Sequence, residues 1–365
     1  MQESTREIRA GRTYRVDRIE DVGSIGIEAV RIDLSSYAAV GERGEMPTRA
    51  GSVTATPVFA VFLDLPLLRG DEAPQAPHVA IASDPWPGSV TVWSSTTDAG
   101  YLVNTNTDSP AILGVSQTEL FSATPGLWDR GSVLRILIPS GKISSASTLD
   151  VLNGANVAAI GDGSSENWEI LQFSEAALVG EDLFELKVLL RGLAGSDATS
   201  PASWPVGSMF VLLDGLVPQM NLPLAARGLD RFYRIGASNG GYADSGIKTR
   251  VEAFNGVGLR PYSVSHIAQK LLNSGNLFLS WIRRTRIDGD SWQSIEVPLS
   301  EEKEYYTVRV VKDNSIVRDL VVSEPSWTYT QAMQLGDAIS TPFLIKVAQN
   351  SITFGTGPFK SISIL

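Results

Sequence analysis

LFLSW (277–281), EYYTVRVV (304–311), IVRDLVV (316–322), SWTYTQA (326–332), FLIKVAQNS (343–351) and FKSISIL (359–365) decide how the last hundred residues of this chain fold. Each run is β-branched or aromatic and is bounded by Gly, Pro, Asp, Asn or Ser, which marks strands separated by turns. Alternation puts Leu277, Leu279 and Trp281 on one face, and Tyr306, Val308 and Val310 likewise share a face. Two such sheets packed face to face form a sandwich with Trp281 between them. Pro261 suits the start of its first strand, where a missing N–H is tolerated. The expected module spans residues 260–365.

Upstream, RTYRVDRIED (12–21) and IGIEAVRIDL (25–34) read as a hairpin turning at Val22-Gly23-Ser24. A lone hairpin is marginal in water, so this one is expected to complete an upstream or neighbouring domain. It occupies residues 1–45 together with the start of a linker that reads across 38–57, rich in Gly, Ala, Thr and charge. Residues 46–259 then hold frequent strands and short turns. The clearest pair is WEILQFSEAALV (168–179) with LFELKVLLRG (183–192), turning at Gly180-Glu181-Asp182. Only SSASTLDVLNGANVAAIG (144–161) reads as helix, with a Ser N-cap and a glycine stop at Gly154. The predicted class is all-β: a barrel-like domain with one short helix, followed by the sandwich.

Composition narrows the function. The 365 residues contain no cysteine and two histidines, with a formal charge of −10. Disulfides, thiolate nucleophiles and cysteine-based metal sites are excluded. An acidic chain is a poor direct ligand for nucleic acid, so no sequence-specific binding is expected. No window approaches the ~20 apolar residues of a membrane helix. The polar start MQESTREIRAGRTYRV lacks the apolar core of a signal peptide.

Short motifs that invite chemistry fail on context. His78 and His266 lie far apart beside strand-like residues, with no metal-ligand spacing. GDGSSE (161–166) lacks the lysine and Ser/Thr of a phosphate loop. Asp288-Gly289-Asp290 lacks the later ligands of a calcium loop. Arg69-Gly70-Asp71 spells an adhesion tripeptide that ordinary composition also produces. Arg283, Arg284 and Arg286 are read as a strand edge made unattractive to other strands, with an anionic partner as the alternative. Glu166, Glu169, Glu175, Asp214 and Asp230 supply carboxylates, but no spacing selects an acid/base pair. No catalytic, cofactor or metal residue is therefore assigned. The tryptophans of DPWPG and SWPVG, Trp86 and Trp204, are the candidate subunit or partner contacts, the alternative being indoles that fold back to plug a barrel end.

The sandwich resembles a fibronectin type III domain: a Trp closes an early strand, and Val-Ala-Gln-Asn runs into Gly-Thr-Gly-Pro and a last strand. It departs at Phe343, where such modules place a tyrosine whose hydroxyl ties a corner. More broadly, YRVDRIED…IEAVRID, PVFAVFLDLPLLRGDEAPQAPHVAIASDPWPGSVTVW, SATPGLWDRG, LDVLNGANVAAIGDG, WEILQFSEAALVGEDLFELKVLLRGLAGSD and LFLSWIRRTRIDGDSW occur in an order similar to one family. That family is the large tail-tip hub, or megatron, proteins of gene transfer agents and related siphophages, here their C-terminal part. Nothing corresponds to the family's TIM-barrel-like region, so the chain is expected to be a fragment or the product of a divided hub gene.

The resemblance implies a structural protein and not an enzyme. It implies a homotrimeric hub that closes the tail tube, adjoins the distal tail protein, tape measure and baseplate components, and meets the host envelope during attachment and DNA delivery. Such a protein is made in the bacterial cytoplasm and resides in the virion tail tip. The competing reading is a secreted carbohydrate-binding or carbohydrate-cleaving protein with an accessory fibronectin module.

Overall fold

A computed structural model describes residues 13–21, 25–32, 57–244, 246–289 and 297–365. The expected linker at 38–57 lies outside them except for its last residue, as does Asp290. The chain divides into two units, Met1–Thr54 and Ala55–Leu365. Strand accounts for 46% of residues and helix for 6%, which fixes the class as all-β.

In the first unit, β1 (Thr13–Asp21) pairs antiparallel with β2 (Ile25–Ile32), the expected hairpin. The register shifts between Val16 and Arg18, where Asp17 is an extra residue. That bulge decides the side-chain pattern. Cross-strand partners Tyr14↔Arg31, Val16↔Ala29 and Ile19↔Ile27 share one face. Without the extra residue, Ile19 would fall on the opposite face from Val16. The hairpin also carries ion pairs between neighbouring residues, Arg15 with Asp17 at 2.7 Å and Arg18 with Glu20 at 2.6 Å.

The second unit begins with β3 (Phe59–Leu63), β4 (His78–Ala82), β5 (Val90–Ser95) and β6 (Leu102–Thr107). There follow β7 (Leu113–Ser116), β8 (Leu120–Phe121), β9 (Trp128–Asp129), β10 (Leu134–Leu137), α1 (Thr148–Leu152) and β11 (Val157–Gly161). Then come β12 (Trp168–Gly180), β13 (Leu183–Leu193), β14 (Ser203–Trp204), β15 (Met209–Leu212), β16 (Arg231–Ala237) and β17 (Lys248–Glu252).

Six of these strands close a barrel in the order β10-β7-β15-β11-β12-β13, with β13 pairing back onto β10 through Leu134↔Leu186 and Ile136↔Phe184. Closure leaves no open edge to template aggregation. The interior is filled by Leu134, Ile136, Ile160, Leu171, Phe173, Leu186 and Phe210, among others. The β12–β13 pair turns at Gly180↔Leu183, as the sequence predicts.

A second layer covers the barrel wall. β3 and β4 form a hairpin buried on both faces. Val61, Leu63 and Ala80 pack on Ala159, Ile170 and Val211 of the wall. Phe62, Val79 and Ile81 face the other way, onto Val90, Val92, Tyr233, Ile235 and Phe254. Those residues belong mainly to a four-stranded sheet, β17-β16-β5-β6. β5 and β16 pair directly, although the whole barrel lies between them in the chain.

The helix expected over 144–161 is corrected to α1 alone, five residues long. Its signals are as read: Ser147 caps it by accepting from the Asp150 N–H, and Gly154 follows at φ 98°. Beyond that glycine, Val157–Gly161 is a strand. Pairing with β12 and β15, with Ala158 and Ile160 inside the barrel, outweighs the helix preference of its alanines.

The C-terminal residues form β18 (Ser265–Leu271), β19 (Leu277–Ile282), β20 (Tyr306–Lys312), β21 (Ser315–Val322), β22 (Ser326–Tyr329), α2 (Gln331–Gly336), β23 (Phe343–Ser351), β24 (Gly355–Thr356) and β25 (Lys360–Ile364). The sheets β18-β19-β22 and β21-β20-β23-β25 enclose one core, a fibronectin type III-like sandwich. Trp281 is buried and meets Tyr306 edge-on at 5.3 Å. The run SWTYTQA is strand only to Tyr329. Thr330 then caps α2 by accepting from the Met333 N–H, which ends the extended conformation. Phe343 cannot supply a hydroxyl tie, but Tyr329 does. Its hydroxyl donates to Asp337 Oδ2 at 2.6 Å, and Arg318 grips the same carboxylate at 2.7 and 2.8 Å.

Glu302 anchors the 351–353 turn of this sandwich. It accepts from the Thr353 hydroxyl and from the backbone N–H groups of Ile352 and Thr353, both at 2.9 Å. The Thr353 hydroxyl, then the Ile352 N–H, hold its carboxyl down at about 2. A depressed carboxyl contributes stability that is present above its unfolded value and lost as pH falls through the folded one. Urea midpoints of Glu302→Gln should therefore fall less than those of the wild type between pH 5 and pH 2.5. An equal fall would remove Glu302 from the acid response.

Candidate functional site

The most elaborate polar cluster lies inside the barrel, at the end closed by β14 and β8. β12 carries Glu169 on the same side as Leu171 and Phe173, so its carboxylate enters the interior. Opposite it, the β12–β13 register shifts between Ile170 and Gln172, setting Arg191 and Gly192 against the single residue Leu171. Gly192 takes φ 62°, which an L side chain rarely adopts, and a Cβ there would lie 2.7 Å from the Asp197 Cβ. This bulge re-aims Arg191 at Glu169.

Arg191 Nε donates to Glu169 Oε1 at 2.6 Å and Nη2 to Oε2 at 2.8 Å, a bidentate pair. Arg191 Nη1 donates to the Phe121 carbonyl at 2.9 Å. Glu169 also accepts from the Gly192 N–H at 3.1 Å and from the Trp204 indole N–H at 2.7 Å. Arg191 is 1% exposed and Glu169 2%. Each guanidinium nitrogen of Arg191 and each carboxylate oxygen of Glu169 has a protein partner, and Asp129 Oδ2 lies 4.0 Å from Arg191 Nη1. The cluster does structural work.

Trp204 is therefore corrected as a contact residue. It is 2% exposed and part of the barrel core, so it plugs the barrel end and offers no surface to another chain. Trp86 is half-buried against the layer of Val58 and Phe62, with its indole N–H on the Asp108 carbonyl at 3.0 Å.

The remaining sequence candidates are distributed, not gathered. Glu166 accepts from the Asn255 side chain, Glu175 pairs across to Lys187 on the barrel hairpin, Asp214 caps the Leu216 N–H, and Asp230 is exposed. The loop at 161–166 is an Asx turn: Asp162 accepts from the Ser164 N–H at 2.9 Å and from Asn167 at 2.7 Å. Glu72 caps the N–H groups of Arg69 and Gly70, which makes the RGD string a turn. Arg284 reaches Asp197 at 3.0 Å, Arg286 reaches Glu301 at 3.0 Å, and Arg283 donates to the carbonyls of Val297 and Pro298. Those arginines brace the molecule internally. Among the described residues, no group of His, Asp or Glu is placed to hold a metal ion, and no helix is long and apolar enough to cross a membrane. His266 sits at a strand irregularity at φ 49°. Burial pushes the His78 imidazole down, toward its neutral form.

A broad open groove of about 1530 Å³ runs beside the barrel wall, lined by Leu68, Val157, Leu193, Leu213, Arg284 and Ile287 among others. Of its arginines, Arg284 pairs with Asp197, Arg286 with Glu301, and Arg283 donates to backbone carbonyls, while Leu68, Val157, Leu193 and Leu213 continue the layer beneath the β3–β4 hairpin.

Two buried polar positions were missed by sequence reasoning. Arg191 stands in VLLRGL, a lone charge in an apolar strand followed by glycine, which is the available signal for a buried partner. Asp64, in VFLDL, is the same kind of signal. It is 1% exposed and accepts from the N–H groups of Gly256 at 2.8 Å and Val257 at 2.7 Å.

Comparison with known proteins adds one correspondence, over part of the chain. Residues 111–211 match the family model described as Rcc01698-like, C-terminal. The matched segment coincides with the closed barrel, whose strands run from Leu113 to Leu212. No curated protein matches the chain. Among solved structures, rat CD45 extracellular domains d3–d4 align at 9% identity over 32% of this chain and 54% of that one, TM-score 0.21. The chain thus spans about half of that structure's length. Chicken CNTN1 domains FN1–FN3 align at 14% identity over 80% and 94%, TM-score 0.21. Titin domains A168–A170 align at 11% over 85% and 99%, TM-score 0.20. Superpositions this loose say nothing further of the chain, whose fold rests on its own strand pairings.

Removing one member of the buried pair should be costly. Glu169→Ala takes both bidentate acceptors from the buried Arg191 and leaves it only the distant Asp129 carboxylate at 4.0 Å, and should lose about 3–5 kcal/mol in denaturant unfolding. Adding Arg191→Met to that variant should recover part of the loss, because the stranded charge is gone. Purely additive losses in the double variant would contradict the pairing.

Proposed function

We propose that this chain is a structural component of a phage or gene transfer agent tail tip, an oligomeric hub that closes the tail tube and meets the host envelope. The observation that carries this reading is the coincidence of the Rcc01698-like C-terminal match with the closed barrel, in the stretch where the sequence resembles the tail-tip hub family. The fibronectin-like sandwich that follows suits a module presented at a surface. The carboxylates that sequence alone left available for chemistry also support it, since Glu169 and Glu166 are committed to holding the fold. In this reading the hub is a homotrimer that adjoins the distal tail protein, tape measure and baseplate components, and the protein resides in the virion. Trp86 is the proposed contact residue.

Native mass measurement of the full chain should give a trimer, and antibody against it should label tail tips of particles. Trp86→Ala should weaken assembly or particle infectivity while leaving the monomer folded. A monomer that cleaves a polysaccharide, with activity abolished by one carboxylate substitution, would replace the hub with the enzyme.

A further inference from the structure

The barrel and the C-terminal sandwich are packed around separate cores. The loop that follows β13, residues 194–199, holds onto both. On the sandwich side, Arg284, just beyond β19, donates through Nη1 to Asp197 Oδ1 and Oδ2 at 3.0 and 3.1 Å. The same guanidinium lies 5.3 Å from the centre of the Tyr262 ring and reaches the Ser263 hydroxyl at 3.4 Å, so the chain leading into β18 steadies it. Tyr262 in turn closes on Gly195. A Cβ at that position (φ 77°) would stand 2.4 Å from the ring, so glycine alone suits both the left-handed backbone and the approach of the tyrosine. Arg260 adds a longer contact, Nη2 to the Thr199 hydroxyl at 3.4 Å.

On the barrel side the loop is tied to the strands that carry the buried ion pair. Ser196 is fully buried, and its hydroxyl accepts from the Ile170 N–H at 3.0 Å while donating to the Leu193 carbonyl at 2.7 Å, spanning β12 and β13. Ile170 is the residue after Glu169. Asp197, which Arg284 grips, packs directly on Gly192, with no room for a Cβ between them. The Gly192 N–H is itself a donor to Glu169. Between these ends, Ser196–Ala198 is one tight helical turn, closed by the Thr199 and Ser200 N–H groups on the Ser196 carbonyl.

We propose that the 194–199 loop is a coupling element: docking of the sandwich on this loop holds the Glu169–Arg191 end of the barrel in place, and loss of that docking loosens it. The path from Arg284 to Glu169 runs through Asp197 and Gly192 alone, in contact throughout. Close packing leaves no slack to absorb a shift at Asp197, so the shift passes to Gly192 and to the bulge that aims Arg191. Other contacts of the sandwich, Arg286 on the Gly258 carbonyl at 3.3 Å and Phe354 under Arg227 at 5.6 Å, meet segments outside the barrel strands. The coupling rests on these contacts and not on the tail-tip reading. Within that reading, it makes a load on the sandwich felt inside the barrel.

Amide hydrogen exchange of the full chain reads the coupling, because the Ile170 and Gly192 N–H groups make the two bonds that the loop maintains. Arg284→Ala acts from the sandwich side, where its partners are Asp197 and Ser263. It should lower protection of both amides about threefold, the scale of one half-exposed ion pair, while amides of the β5–β16 pairing keep wild-type protection. Gly195→Ala, whose Cβ drives the Tyr262 ring off the loop, should give the same selective loss. Unchanged protection of Gly192 in these variants would overturn the proposal. So would a loss of equal size in the β5–β16 amides, which reports global destabilisation. If either variant does not fold, the other is read by the same two criteria.

Discussion

The β3–β4 hairpin is the constraint on which the second unit depends, because it is the single layer that two cores share. Val61, Leu63 and Ala80 pack on the barrel wall and Phe62, Val79 and Ile81 on the four-stranded sheet, so neither core is sealed without it. A strand buried on both faces cannot slip by one residue, since either register exchange would drive Phe62 into space filled by Val61 and Leu63. The layers are therefore held in one arrangement by packing. The polar contacts at the strand's end, through Asp64, tie it to the Gly256–Val257 turn.

The barrel adds a different kind of specification. A buried ion pair is a weak source of net stability, because desolvating two charges offsets most of their attraction. Glu169 and Arg191 are better understood as fixing which strands lie where. Five hydrogen bonds tie β12, the bulge in β13, β8 and the β14 tryptophan to one point, and any other pairing would strand a charge in an apolar interior.

What could be read in advance follows from how local the physics is. The 180–182 turn, the opening hairpin and the burial of Trp281 rest on alternation and turn chemistry within a few residues, and the sequence displays both. α1 was legible at its caps and misjudged beyond Gly154, where alanines with no strand preference are recruited by partners in β12 and β15. Trp204 looks like a loop-tip anchor because proline and glycine flank it. Only the distant Glu169 shows why the indole turns inward. Asp64 and Arg191 fail for the same reason: a lone charge in an apolar run announces burial, but its partner sits far along the chain and no spacing rule points to it.

β7 is hydrogen-bonded to β15, with Leu113 opposite Val211, so the first and last strands of the barrel lie side by side. The barrel thus enters and leaves its host at neighbouring points, in the geometry of a cassette. A segment with adjoining ends can be exchanged, lengthened at its β12–β13 tip or replaced by a relative without rethreading the layers around it. Lineages that share this barrel need not share what surrounds it, and divergence on either side of the splice can proceed at its own pace.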